Sequence, residues 1–147
     1  MILLCGLPGS GKTTLAKRLA SDVPAVRLSP DEWLVDLGVD LFDEPFRERL
    51  ERRFRTLARD LLRLGQNVVL ESGFWSRAER DEMRAVGRAV GALVELRYLA
   101  VPFDELVRRL DARDSPVLIP PELLAEYEQV FQAPDDDELA LFDRVNE

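Results

Sequence analysis

The residues with the clearest chemical potential lie near the start of the 147-residue chain: Gly6, Leu7, Pro8, Gly9, Ser10, Gly11, Lys12 and Thr13. They match G-x-x-x-x-G-K-[ST], directly after an apolar run and at the opening of an amphipathic one. Glycines let such a loop curl until successive backbone N–H groups point at phosphate oxygens, and the positive end of the following helix dipole adds to the field. Lys12 is placed to reach the β- and γ-phosphates of a nucleoside triphosphate, and the Thr13 hydroxyl is a hard oxygen ligand suited to Mg²⁺. Thr14 lies one place too far to share the metal role and ends the nucleotide-contacting stretch. Binding of ATP or GTP follows from this segment.

What is done with the nucleotide depends on the remaining motifs. A guanine-reading Asn-Lys-x-Asp is absent, since Asn67 and Asn146 precede Val and Glu. The Ser-Gly-Gly-Gln signature of transporter ATPases is absent too, and a ring-forming ATPase needs a longer core with a helical lid domain. A small kinase fits. Phosphoryl transfer then requires a carboxylate for the acceptor hydroxyl, acids near Mg²⁺ and a cation over the moving phosphoryl group. Asp31 is the candidate base, with helix capping as its alternative role and Glu32 as its neighbouring rival. Glu71 closes the apolar run Val68-Val69-Leu70, the placement of a metal-site acid; pairing with an arginine is the alternative. Arg108, Arg109 and Arg113 precede a proline-rich stretch, where Arg113 is the best-placed cation and Arg109 a further nucleotide contact.

Short apolar runs alternating with longer amphipathic stretches predict an α/β chain built around a parallel sheet. Strands are predicted over Ile2–Cys5, Ala25–Leu28, Val68–Glu71 and Leu93–Ala100, with a short fifth over Leu141–Val145. Helices are predicted over about Lys12–Ser21, from Ser29-Pro30 onward, and over Pro45–Leu64, Arg77–Val90, Phe103–Arg113 and Pro121–Gln132. Ala133–Glu138 reads as an acidic turn, and residues 113–121 as a short lid on one domain spanning 1–147. Asp31 and Glu71 thereby fall at strand ends beside the phosphate loop, where open α/β sheets place their ligands.

Composition narrows the partners. Lys and Arg number 20 against 28 Asp and Glu, a net charge of −8, and histidine is missing altogether. An acidic chain is a poor binder of nucleic acid or anionic membrane, and without histidine the natural general base is a carboxylate. The lone Cys5 forms no internal disulfide, which points to a reducing, cytoplasmic setting, and no apolar run approaches the roughly 20 residues of a membrane helix. Hydrophobic residues at 46% and charged ones at 33% suit a packed globular domain.

Four segments carry a family resemblance: Gly6 to Thr14; Leu-Ser-Pro-Asp-Glu-Trp ending at Trp33; Glu-Ser-Gly-Phe-Trp-Ser-Arg-Ala-Glu-Arg from Glu71 to Arg80; and Arg-Arg-Leu-Asp-Ala-Arg-Asp ending at Asp114. Together they resemble small bacterial P-loop kinases of the AAA-type ATP-binding group, similar to chloramphenicol phosphotransferases, zeta toxins and polynucleotide kinase domains. The resemblance implies a doubly wound P-loop kinase fold, with helices on both faces of five parallel strands in the order 2-3-1-4-5. It also implies ATP and Mg²⁺ as cofactors, Asp31 as base and Arg113 as lid arginine. Asp is usual where Glu71 stands. Arg77 and Arg80 match basic positions near the acceptor or γ-phosphate, with surface pairing to Glu79 and Asp81 as the alternative.

Trp33, Phe74 and Trp75 follow the second and third strands and form a candidate apolar wall for a ring-bearing acceptor, beside Arg77; core packing is the alternative for at least one. The expected activity is transfer of the ATP γ-phosphoryl group to a hydroxyl of an antibiotic, nucleoside or sugar-like molecule. The competing readings are a nucleotide-binding regulatory ATPase or interaction protein, and, disfavoured by charge, a polynucleotide 5′-hydroxyl kinase.

Overall fold

The computed structural model describes residues 1–114 and 118–144 of the chain. Four parallel strands, β1 (Ile2–Cys5), β2 (Ala25–Leu28), β3 (Asn67–Gly73) and β4 (Glu95–Tyr98), lie in the order β2-β3-β1-β4. Between and after them run seven helices: α1 (Lys12–Asp22), α2 (Pro30–Asp36), α3 (Glu44–Arg63), α4 (Arg77–Ala89), α5 (Phe103–Ala112), α6 (Pro121–Val130) and α7 (Asp136–Leu139). Successive strands leave β1 toward one edge and β3 toward the other, which opens a crevice above their carboxyl ends. The ends are staggered: Cys5 is opposite Gly73, whereas β2 ends with Leu28 opposite Leu70, three residues earlier on β3.

Both faces of the sheet are covered, so the central strands lack polar alternation. Leu3, Cys5, Leu28, Val68 and Leu70 pack with Phe54, Ala58 and Met83 of α3 and α4. Leu4 and Val69 point the other way, onto Ala16 of α1. A third cluster, Leu7, Leu106, Leu110 and Leu124, seats α5 and α6 beside the phosphate loop. Each fully buried leucine contributes about 1.5–3 kcal/mol over an exposed one. Local signals start the helices: Ser29, Asp43 and Ser76 accept backbone N–H bonds from Glu32, Phe46 and Glu79.

Two expectations change at the C-terminus. The stretch read as an acidic turn contains the short helix α7, capped by Asp135. The predicted fifth strand does not form over residues 141–144, and residue 145 lies outside the described residues. Phe142 instead anchors in the core, while Asp143 clips to the start of β4 by its N–H to Val94 O and by Val94 N–H to its carboxylate, each 2.8 Å. A single residue bonded through main chain and side chain leaves no ladder to extend. Of the predicted lid, residues 115–117 lie outside the described residues, and Arg113 closes α5 in an extended conformation.

Candidate nucleotide and acceptor site

The phosphate loop joins β1 to α1 through two left-handed glycines, Gly9 at φ +84° and Gly11 at φ +96°. At Gly6 a Cβ would meet Ser10 Oγ at 2.6 Å, so the loop has no room for a side chain there. Gly11 caps α1 without any side-chain hydrogen bond, which keeps the first-turn N–H groups for an anion. Lys12 Nζ lies inside the curl, donating to Gly6 O at 3.0 Å and Leu7 O at 2.9 Å. Burial lowers its ammonium to about 8; Asp31 and Glu71 oppose that shift, and Arg113 reinforces it.

Glu71 sits near the end of β3 with its side chain only 2% exposed, and Arg27 of β2 reaches it at 2.8 Å. Burial raises its carboxyl above the ordinary value, opposed by Arg27 and by the Thr13 hydroxyl. Neither carboxylate oxygen has a well-formed hydrogen bond within the chain. The arginine-pairing alternative is realised through Arg27, and the buried carboxylate beside the Thr13 hydroxyl is also a hard-oxygen donor set that fits Mg²⁺.

Asp31 lies in the first turn of α2, but Ser29 performs the capping, so the carboxylate is not used to start the helix. Its side chain is 70% exposed, and its Oδ1 accepts from Arg47 Nη2 of α3 at 2.6 Å. Trp33, two residues on, stands edge-on to Phe54 with centroids 5.0 Å apart. Phe74 takes the packing alternative: it is buried at φ +49°, lining a narrow cleft with Glu51, Arg55 and Glu79. Trp75 turns under the loop, its Nε1 donating to Gly6 O at 3.3 Å and its ring against Tyr127.

The arginines separate. Arg109 Nη1 lies 3.4 Å from both Gly9 O and Ser10 O, while its Nε is held by Glu105, which also holds Arg108. Arg77 pairs loosely with Asp81 at 3.6 Å on the surface of α4. Arg80 departs from both sequence readings: it is fully buried and bonds Glu138 at 2.6 and 2.9 Å, with Nη1 donating to Phe74 O. A guanidinium satisfied in this way holds α7 and the β3–α4 loop together and is not available to a phosphate.

Residues 1–134 match the model of a family described as AAA domain. The chain belongs to this family of small P-loop kinases. It is 31% identical over 144 residues to a shikimate kinase of Bacteroides thetaiotaomicron, covering 96% of this chain and 74% of that one. In structure, this AAA-domain kinase resembles a chain of the Pnkp1/Rnl/Hen1 RNA repair complex with a TM-score of 0.76 at 24% identity, over 88% of this chain and 42% of the other. It also resembles a gluconokinase of Sinorhizobium meliloti with a TM-score of 0.65 at 20% identity, over 92% and 77% of the two chains. Those two likenesses concern the fold. Among the described residues, no helix of this kinase is long and apolar enough to cross a membrane.

The sequence reading of the site passes over Arg27, Arg47, Glu51 and Glu79. One local signal existed for Arg27, a charged residue inside the four-residue apolar run of β2, which requires an acidic partner once buried. For Arg47, Glu51 and Glu79 nothing local distinguishes them from a solvated helix face; α3 and α4 must first be packed together.

Proposed function

We propose that this P-loop kinase transfers the γ-phosphoryl group of ATP to a hydroxyl of a small molecule, acting as one catalytic unit. The reading rests on the phosphate loop itself, with left-handed Gly9 and Gly11, uncapped N–H groups at the start of α1 and Lys12 Nζ held inside the curl. Backbone N–H groups from Gly9 to Thr14 cradle the phosphates, and Lys12 swings from the loop carbonyls to the β- and γ-oxygens. Thr13 and Glu71 would hold Mg²⁺, whose charge offsets that of the phosphates. Asp31 receives the acceptor hydroxyl proton on Oδ2, Oδ1 being fixed by Arg47. As the acceptor oxygen bonds to the γ-phosphorus, its bond to the bridging oxygen breaks and ADP departs. Arg109 steadies the loop and Arg113 supplies the second cation over the transferring group. Trp33, exposed and edge-on to Phe54, is the aromatic residue left to flank an acceptor beside Asp31.

A small acceptor is favoured over a polynucleotide because the net charge of −8 opposes a polyanion. The test is ADP release against a panel of hydroxyl compounds, comparing the parent with Asp31→Asn. Acceptor-stimulated turnover, lost in the variant by about a hundredfold or more, supports the reading. A rate no faster with any acceptor than with water supports the regulatory ATPase instead.

A further inference from the structure

Resting on the reading of Thr13 and Glu71 as metal ligands, we propose that Arg27 is a positioning residue that stands in for the metal ion. It holds the Glu71 carboxylate until a divalent cation arrives with nucleotide, and then passes to Glu32, so that free cation is kept out. Strand register places the groups. Arg27 is opposite Val69, and Val69 and Glu71 alternate onto the same face of β3, the one covered by α1. Helix α1 opens with Lys12 and Thr13, so a guanidinium on the edge strand reaches under the phosphate loop to a carboxylate that also meets the Thr13 hydroxyl.

The geometry of the contact suits exchange. The Glu71 side chain is 2% exposed, so its charge needs a cation at all times, and Arg27 is its ion-pair partner among the described residues. Yet the guanidinium is divided. Its Nη2 donates to Glu32 Oε1 at 3.0 Å and lies 2.8 Å from Glu71 Oε2, while its Nε is buried without a hydrogen-bond partner. A pair kept for structure alone takes the two-pronged form of Arg80 and Glu138, where two nitrogens meet two oxygens at 2.6 and 2.9 Å. Arg27 meets Glu71 through one nitrogen only. Glu32 is 46% exposed and can take the whole guanidinium at the rim without burying further charge. A free divalent cation would enter a region that already holds the charges of Arg27 and, in the adjoining loop, Lys12. The phosphates of a nucleotide reverse that balance, which links cation binding to nucleotide binding.

The experiment is titration of the full chain with Mn²⁺, with and without ADP, read by water-proton relaxation, which separates protein-bound Mn²⁺ from Mn²⁺ on free ADP. Without ADP, Arg27→Gln is expected to bind Mn²⁺ about tenfold or more tightly than the parent, and its Tm should rise on addition of Mn²⁺ alone. Glu32→Gln alters an exposed side chain and leaves the guanidinium no second partner, so Mn²⁺ in the ADP complex should bind about threefold or more weakly. Arg27→Gln that binds Mn²⁺ no better than the parent, or Glu32→Gln that matches the parent in the ADP complex, overturns the assignment. Glu71→Gln tells the two claims apart. Unchanged Mn²⁺ binding with ADP in that variant removes Glu71 from the metal site and the inference with it. Weakened binding in Glu71→Gln beside an unaltered Arg27→Gln removes the role of Arg27 alone.

Discussion

Arg27 Nη2 lies 2.8 Å from the buried carboxylate of Glu71, on the adjacent strand and 44 positions away in the chain, and the same guanidinium reaches Glu32 of α2 at 3.0 Å. The contact ties Glu71 of β3 to the helix that carries Asp31. Removing one partner of such a pair leaves the other charge buried and unpaired. Arg27→Gln is therefore expected to cost about 2–3 kcal/mol in urea denaturation at pH 7, and Arg27→Gln with Glu71→Gln to recover most of it. Additive losses in that double-mutant cycle would mean that the two residues do not act as a pair.

Lys12→Ala removes the main cation but leaves the backbone curl intact. Turnover is expected to fall by about a thousandfold, with ADP bound about tenfold more weakly. Stopped-flow and equilibrium titration read the two quantities separately, and unaltered turnover would remove Lys12 from the chemistry.

Arg109 and Arg113 are expected to differ in kind. Arg109 touches the Gly9 and Ser10 carbonyls, so Arg109→Ala should raise the KM for nucleotide with little change in kcat. Arg113 acts on the same charge field as Lys12, and Arg113→Ala should lower kcat about tenfold or more at constant KM. A KM effect alone in the second variant would assign it to ground-state binding.

The Arg80–Glu138 pair is placed in a structural role, with both side chains no more than 2% exposed. Glu138→Ala should lower stability by about 3–5 kcal/mol, read as a fall in Tm. Nucleotide affinity measured well below that Tm should be unchanged, whereas a selective loss of affinity would return Arg80 to the phosphate site.

Burial raises the Glu51 carboxyl to about 7, with Glu79 adding to the shift and Arg47 and Arg55 opposing it. The unfolded chain ionises this group near the ordinary 4.5, so the native state loses stability as pH rises from there through 7. Glu51→Gln abolishes that loss. The variant should match the parent near pH 4.5 and exceed it by about 1 kcal/mol above pH 7, a figure reduced for partial exposure. Tm measured across this range checks the sign.

How much of this was legible in the chain depended on the distance over which each feature is decided. Gly6 to Thr13 announces itself because strand, loop and helix N-terminus are contiguous, and the positive φ of Gly9 and Gly11 is a local demand. The helix α3 is equally local, since Phe46, Leu50, Phe54 and Leu57 recur on one face and Gly65 ends it with φ +79°. That Asp31 follows β2 and Glu71 lies near the end of β3 is implied by the order of the apolar runs.

Pairing between distant elements was decided only by the packed structure. Arg80 resembles any basic residue after a strand until α7 brings Glu138 to it from 58 residues away. The four residues after Ala140 read as the start of a strand, yet burying Phe142 and clipping Asp143 to Val94 prevents the ladder. Glu51 and Glu79 become neighbours only when α3 lies against α4. By itself the sequence determined the phosphate loop and the parallel α/β plan, because backbone conformation and side-chain periodicity are written residue by residue. Which arginines are spent on structure, Arg27 on Glu71 and Arg80 on Glu138, depended on desolvation and proximity across the fold, and those exist only after the chain has packed.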